Sequence, residues 1–161
     1  MLVSCKLITA INVEMHSTSN NKSIGTIILT DTKGGLLIKE TKKNISSGLH
    51  GFHIHKFANC KTKIINNIKV KAGGAGGHFD PGNNNAHLGP YKPGHLGDLP
   101  VLSADQANKI KTTVLAPRLS LKKIYNKTMV LHQAGDNYAD SPSPLGGGGD
   151  RIGCGIINKA N

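Results

Sequence analysis

Ser23-Ile24-Gly25-Thr26-Ile27-Ile28-Leu29-Thr30 is rich in β-branched residues and runs straight into Asp31-Thr32-Lys33-Gly34-Gly35. The first stretch reads as a strand and the second as a turn, after which Leu36-Leu37-Ile38 resumes as a short strand. Working outward, Lys6 to Met15 alternates in part and reads as a strand on the N-terminal side. Leu49 to His55, Ile110 to Leu115, Thr128 to His132 and Ile152 to Ile157 read as further strands. Helix signals are weak, with Ser103-Ala104-Asp105-Gln106-Ala107 as one candidate turn. Many short strands with turn signals between them predict an all-β antiparallel sandwich or barrel.

The 161 residues suffice for one domain. Gly and Pro together, 20 and 7 residues, stay below the level of a low-complexity chain. No apolar run approaches the roughly 20 residues of a membrane-spanning helix. With no Trp, three Tyr and three Phe, the chain lacks the aromatic platform on which single-stranded nucleic acid stacks. The unusual quantity is the net charge of +11. It points to an anionic partner: nucleic acid, an anionic membrane, or a small anion drawn in by the field. Residues 1–71 carry 11 basic and 3 acidic residues, and residues 72–161 carry 9 and 6. The densest run, Lys56 to Lys71, holds Lys56, Lys61, Lys63, Lys69 and Lys71 with no acid.

Two long segments predict loops: 72–98, rich in Gly, Asn and Pro, and 133–150, which ends in Gly146-Gly147-Gly148-Gly149 before Asp150. Loops of this length inside a compact domain are usually functional or disordered. Here they hold the chemistry. His78, His87, His95 and Asp98 follow the spacing His-x8-His-x7-His-x2-Asp, so one loop can wrap one ion with three imidazoles and a carboxylate, a set suited to tetrahedral zinc. His53-Ile54-His55 puts two imidazoles on one face of a strand. His132, at the end of another strand, completes three; a fourth imidazole shared with the zinc set gives a four-nitrogen site suited to Cu(II). Asp136, four residues on, is placed to accept hydrogen bonds from ligand imidazoles.

Gly51-Phe52-His53-Ile54-His55, Cys60, Gly76-Gly77-His78-Phe79-Asp80-Pro81 and Gly94-His95-Leu96-Gly97-Asp98-Leu99-Pro100 resemble copper/zinc superoxide dismutase. The segment from His132 through Gly135-Asp136-Asn137-Tyr138 to Pro144-Leu145-Gly146-Gly147-Gly148-Gly149 and Arg151-Ile152-Gly153-Cys154-Gly155 is similar to the bacterial, periplasmic branch of that family. The resemblance covers about residues 11–158 of one domain spanning 1–161, with 1–10 as a leader remnant or extension. It implies a Greek-key β-sandwich or flattened barrel of about eight antiparallel strands with two long functional loops. It implies copper on His53, His55, His78 and His132, zinc on His78, His87, His95 and Asp98, and a bridging role for His78. It implies that Asp136 links the two ligand sets, that Arg151 and His78 are catalytic, and that Cys60 pairs with Cys154. The implied reaction takes two superoxide anions and two protons to dioxygen and hydrogen peroxide, alternating Cu(II) and Cu(I). The rival reading is a non-catalytic copper- or zinc-carrying protein on the same fold.

Superoxide is thus the expected partner, without nucleic acid or a transmembrane segment, in the bacterial periplasm; the sequence leaves monomer and homodimer open. Leu2-Val3-Ser4-Cys5 resembles the end of a lipoprotein signal, which would make Cys5 a lipid anchor. His50 is expected to be structural, and His16 a surface residue. Asp80 and Asp140 are expected to serve turns. Tyr91 lies where some dimeric bacterial relatives carry an aromatic residue. Lys56 and the basic 61–71 segment depart from the family pattern, and either steer the substrate or meet another partner. Asp150 stands beside Arg151, where it would weaken the pull on anions.

Overall fold

The computed structural model describes residues 10–42, 45–110 and 113–159; Cys5 lies outside them. Eleven strands follow in chain order. They are β1 (Ala10–Ser17), β2 (Ser23–Thr32), β3 (Gly35–Lys42), β4 (Gly48–His50), β5 (Phe52–His55), β6 (Lys63–Ile65), β7 (Ile68–Val70), β8 (Leu102–Ala104), β9 (Val114–Ala116), β10 (Lys127–His132) and β11 (Arg151–Ile157). Seven form one curled antiparallel sheet, a half-barrel in the order β5-β10-β11-β1-β2-β3-β9. Consecutive strands pair in β1-β2-β3 and β10-β11. The contacts of β5 with β10, β1 with β11 and β3 with β9 join strands distant in sequence.

The alternation in the sequence decides what the sheet buries. Ile11, Val13 and Met15 of β1 face inward between exposed Ala10, Asn12 and Glu14. Ile27 and Leu29 of β2 and Leu36 and Ile38 of β3 join them, all with no exposed surface. Phe52 and Ile54 of β5, Leu102 of β8, Met129 and Leu131 of β10, and Leu99 and Ile124 from the connections extend the core. Each such side chain contributes about 1.5–3 kcal/mol by leaving water.

The expected strand over Leu49–His55 is two strands, broken at Gly51, whose amide donates to Ala134 O (2.7 Å) and whose carbonyl accepts from His132 N (2.8 Å). The short β4–β8 ladder occupies the residues read as a helical turn: Ser103 and Ala104 are extended, because they pair with Leu49 and Gly48. The one α-helix among the described residues is instead Leu121–Ile124, which buries Leu121 and Ile124 against the sheet. Of the expected strand over Ile110–Leu115, Val114 and Leu115 fall within β9, and Ile110 makes a single bridge to Ala104. The lysine-rich segment contains a β6–β7 hairpin. Asn66 and Asn67 form its turn at φ 49° and 63°, the left-handed pair that a two-residue hairpin loop requires.

Candidate metal centre

β5 lies between β10 on one edge and the long loop on the other. His53 pairs with Val130 and His55 with Thr128 across the ladder, so His53 and His55 share a face while Ile54 points into the core. The loop is laced to the outer edge of β5: Phe79 N donates to Ile54 O (2.8 Å), Ile54 N to Gly97 O (2.9 Å), and Gly97 N to Phe79 O (2.8 Å). A Cβ on Gly97 would stand 2.2 Å from Ile54 O, so no other residue permits this approach. The lacing puts His78 opposite His55 and Asp98 opposite His53. A register shift after Leu131 turns His132, at the end of β10, toward the same space.

Two donor sets result. In His53, His55, His78 and His132 one ligand atom from each residue lies within 4.8 Å of the others, and the same holds for His78, His87, His95 and Asp98. All seven residues are buried. In the second set, Nδ1 of His78, His87 and His95 stands 2.9, 3.1 and 3.3 Å from Asp98 Oδ1. Only His78 belongs to both sets: its Nδ1 faces Asp98, which leaves Nε2 for the first.

Acceptors hold the outer ring nitrogen of four of these imidazoles, which fixes their tautomers. His55 Nδ1 donates to Gly76 O (2.9 Å) and His132 Nδ1 to Gly149 O (3.2 Å). Asp136 accepts from His53 Nε2 on Oδ2 (2.7 Å) and from His87 Nε2 on Oδ1 (2.8 Å), one carboxylate tying the two sets together. Five ring nitrogens are buried without a hydrogen-bond partner: the four opposite ones, His53 Nδ1, His55 Nε2, His87 Nδ1 and His132 Nε2, together with His95 Nδ1. Buried polar atoms normally find a partner. Five imidazole nitrogens converging on two small spaces are donors for metal cations, and the set fits copper and zinc; a bound cation would displace the proton that Asp136 and Asp98 draw to His87. Gly146, at φ 75°, closes the roof; a Cβ there would come 2.0 Å from Asp136 Oδ1.

The electrostatics agree. Burial, aided by the neighbouring His78, pushes His53 down to about 3. Burial likewise pushes His132 down to about 4 and holds His55 well below the usual imidazole value. For Asp98 and Asp136 burial acts upward, but hydrogen bonds from the surrounding imidazoles outweigh it and hold both carboxyls below the usual range. For His87 burial acts downward, yet the Asp136 and Asp98 carboxylates prevail and raise it to about 9. His53 and His132 therefore bind fewer protons folded than unfolded, so their stability contribution is present above about 6.5 and lost as pH falls through 4 and 3. The metal-free protein is expected to lose roughly 2–4 kcal/mol between pH 7 and pH 4 from His132 alone. Urea unfolding at both pH values measures it, and an unchanged midpoint would contradict burial of a neutral ring.

Arg151 opens β11 opposite His132. Its Nη1 donates to Ala72 O and its Nη2 to Gly76 O, both at 2.8 Å. Gly76 O is the same oxygen that fixes His55, so the guanidinium and a ring of the first set share one anchor. The Cys60–Cys154 disulfide ties the segment carrying these carbonyls to β11. Among the residues set aside, His50 is structural: its ring nitrogens lie 2.8 Å from His132 O and from Ser46 O. Asp140 accepts from His87 N (2.8 Å), and Asp80 from Asn85 N (2.9 Å), as loop braces. Asp150 and Tyr91 are exposed.

Arg118 is the contributor that sequence reasoning passes over. Its guanidinium donates to Pro90 O (2.8 Å), Gly94 O (3.2 Å), Gly89 O (3.1 Å) and His95 O (2.7 Å), clamping the loop segment that carries His95. Nothing near Arg118 in the chain signals this; only Pro117 beside it hints at a fixed backbone. Arg118→Met should weaken zinc binding about 10–100-fold, as loss of ligand-orienting contacts does. Arg118→Lys should rescue little, since an ammonium cannot span four carbonyls. Competition with a chelator measures it; unaltered zinc affinity in both variants would make the clamp irrelevant to the loop's order.

Residues 23–157 match the family model described as copper/zinc superoxide dismutase. A superoxide dismutase [Cu-Zn] of Brucella abortus is 45% identical over 145 residues, 89% of this chain and 84% of the relative. The solved Cu/Zn superoxide dismutase from Brucella abortus superposes with a TM-score of 0.90 at 42% identity, over 93% of this chain and 100% of that one. The solution structure of the monomeric copper, zinc superoxide dismutase from Salmonella enterica gives 0.82 at 42% identity, with the same coverage.

Proposed function

This chain belongs to the copper/zinc superoxide dismutase family, and from that premise we propose how its residues divide the work. The reaction is the family's, conversion of superoxide to dioxygen and hydrogen peroxide, with copper and zinc as cofactors. His53, His55, His78 and His132 would hold copper, and His78, His87, His95 and Asp98 would hold zinc. The observation that carries this assignment is the set of five buried, unpartnered ring nitrogens facing these two spaces. When bound, copper supplies the one-electron redox change, while zinc, which has none, keeps His78 and the loop in place.

The chain's own groups do the rest. Arg151 receives the superoxide anion: two of its N–H groups are engaged by Ala72 O and Gly76 O, which aims the fork and leaves other donors for the substrate. His78 Nε2, when free of the first set, would take up a proton from solvent and pass it on as one of the two that peroxide requires, its Nδ1 staying committed to the zinc set. Asp136 keeps His53 and His87 in the tautomers that present Nδ1 inward. His78, His87, His95 and Asp98 supply four protein donors, the complete tetrahedral shell of a structural zinc site.

The same reading makes residues 1–161 one domain working in the bacterial periplasm. The formed disulfide and the bacterial relatives support an oxidising compartment. No helix among the described residues is long and apolar enough to cross a membrane.

Metal analysis coupled to a superoxide-decay assay tests the assignment. The purified protein loaded with both metals should hold copper and zinc in equal amounts and accelerate decay. His132→Gln should lose copper while keeping zinc, and lose activity with it. Zinc binding without activity after copper loading would overturn the catalytic assignment in favour of a metal carrier.

A further inference from the structure

We propose that the β6–β7 hairpin docks the protein onto an anionic phospholipid bilayer. The hairpin is a narrow two-stranded ribbon, Lys63–Ile65 and Ile68–Val70, turned by Asn66-Asn67. The residues flanking that turn are apolar and exposed: Ile64 at 61%, Ile65 at 40% and Ile68 at 66%. Three exposed isoleucines within five residues are not scattered surface positions. A soluble protein leaves such a cluster in water when something else is meant to cover it.

The register shows what can cover it. Ile65 stands opposite Ile68, and Ile64 opposite Lys69. Directly paired residues share a face, so Ile65 and Ile68 lie on one face of the ribbon and Ile64 on the other. A protein groove covers one face of a ribbon and leaves the other wet. An acyl layer covers both.

The charge is layered behind the tip. Lys63 and Lys69 sit on the two strands, and Lys61 and Lys71 lie at the base, all exposed. No acidic residue occurs between Lys56 and Phe79. Next to the turn the rung Ile65–Ile68 is apolar, the following rung pairs Ile64 with Lys69, and Lys63, Lys61 and Lys71 stand behind them; this gradation suits a bilayer interface, where apolar side chains enter the acyl boundary and lysines extend back to the phosphates. Nucleic-acid phosphates would satisfy the lysines and leave the isoleucines in water. Antiparallel pairing with a second copy would cover isoleucines while setting lysines against lysines. Drawing in superoxide would use the lysines and give the isoleucines no part.

Flotation of the copper- and zinc-loaded protein with vesicles tests the proposal. Binding is expected to vesicles of phosphatidylglycerol and phosphatidylcholine, and not to phosphatidylcholine alone. Removing a lysine, as in Lys63→Gln or Lys69→Gln, should weaken binding about fivefold. Ile64→Ser with Ile68→Ser should abolish it while leaving the melting temperature and the superoxide-decay rate unchanged, since both side chains are exposed. No binding to the anionic vesicles overturns the proposal. So does binding that survives the isoleucine substitutions, which would make the attraction one of charge alone. Sedimentation velocity decides the rival occupant: a dimer that Ile64→Ser with Ile68→Ser converts to monomer would assign the hairpin to a second copy instead.

Discussion

Arg151→Met is expected to lower kcat/KM for superoxide about 10–100-fold with copper and zinc content unchanged. The size follows from losing a charged, hydrogen-bonding group that holds the anion, worth about 1.5–3 kcal/mol. The side chain is half-buried and rigidly mounted on Ala72 O and Gly76 O, so its contribution is positional as well as electrostatic. Arg151→Lys separates the two. A lysine keeps the charge and cannot reproduce the planar fork, so it should recover only part of the loss. The salt dependence of the rate should flatten in the methionine variant and persist in the lysine variant, because screening acts on charge and not on geometry. Stopped-flow superoxide decay at several ionic strengths measures both. Wild-type kcat/KM in the methionine variant would mean that the anion is held elsewhere.

The ligand residues are readable in the chain because the chemistry uses residue types that have few other reasons to cluster. Three histidines and an aspartate within 21 positions of a Gly-rich loop predict one ion, and the fold closes that loop on Asp98 Oδ1. His53-Ile54-His55 is readable for a different reason: a period of two fixes which side chains share a face. What escaped the sequence depends on partners remote in the chain. Ser103-Ala104 has no strand signal of its own and is extended only because β4 lies beside it. Arg118 resembles any other surface arginine until the loop it clamps arrives from residues 89–95. The β6–β7 hairpin was obscured by its composition. The lysines point to an anionic partner and give no strand signal, whereas the signal for the hairpin is Asn66-Asn67, two residues that tolerate positive φ between β-branched neighbours. The net charge behaves the same way. As a single number it suggested many partners; resolved onto the fold, it separates one guanidinium beside the donor sets from lysines behind exposed isoleucines.

Replacing Cys60 and Cys154 together by alanine should cost about 4–5 kcal/mol, the largest stability change expected from any substitution discussed. The bond closes a chain segment of 94 residues, and on the chain-entropy account its value comes from restricting the unfolded chain. For a protein of this size that corresponds to a fall in melting temperature of about 10–15 °C. The consequence for activity depends on what else holds the segment carrying Ala72 and Gly76. Lys56 N donates to Gly77 O (3.0 Å), Phe57 N to Ala75 O (3.0 Å) and Gly74 N to Lys61 O (2.9 Å), while Asn59 N donates to Thr128 Oγ1 (3.1 Å), so hydrogen bonds still tie this segment to its neighbours. Each contributes only about 0.5–1.5 kcal/mol net. Ala72, Ala75 and Val130 pack around Cys154, with Cys60 against them, and the two alanines remove that sulfur contact as well as the bond. The platform should therefore loosen, and Arg151 with it, giving a kcat/KM several-fold lower at a temperature where the variant is fully folded. Calorimetry and stopped-flow decay on the same metal-loaded sample separate the two effects. A large drop in melting temperature with wild-type kcat/KM would show that backbone hydrogen bonds alone aim Arg151, leaving the disulfide a stabiliser of the fold and no part of the anion site.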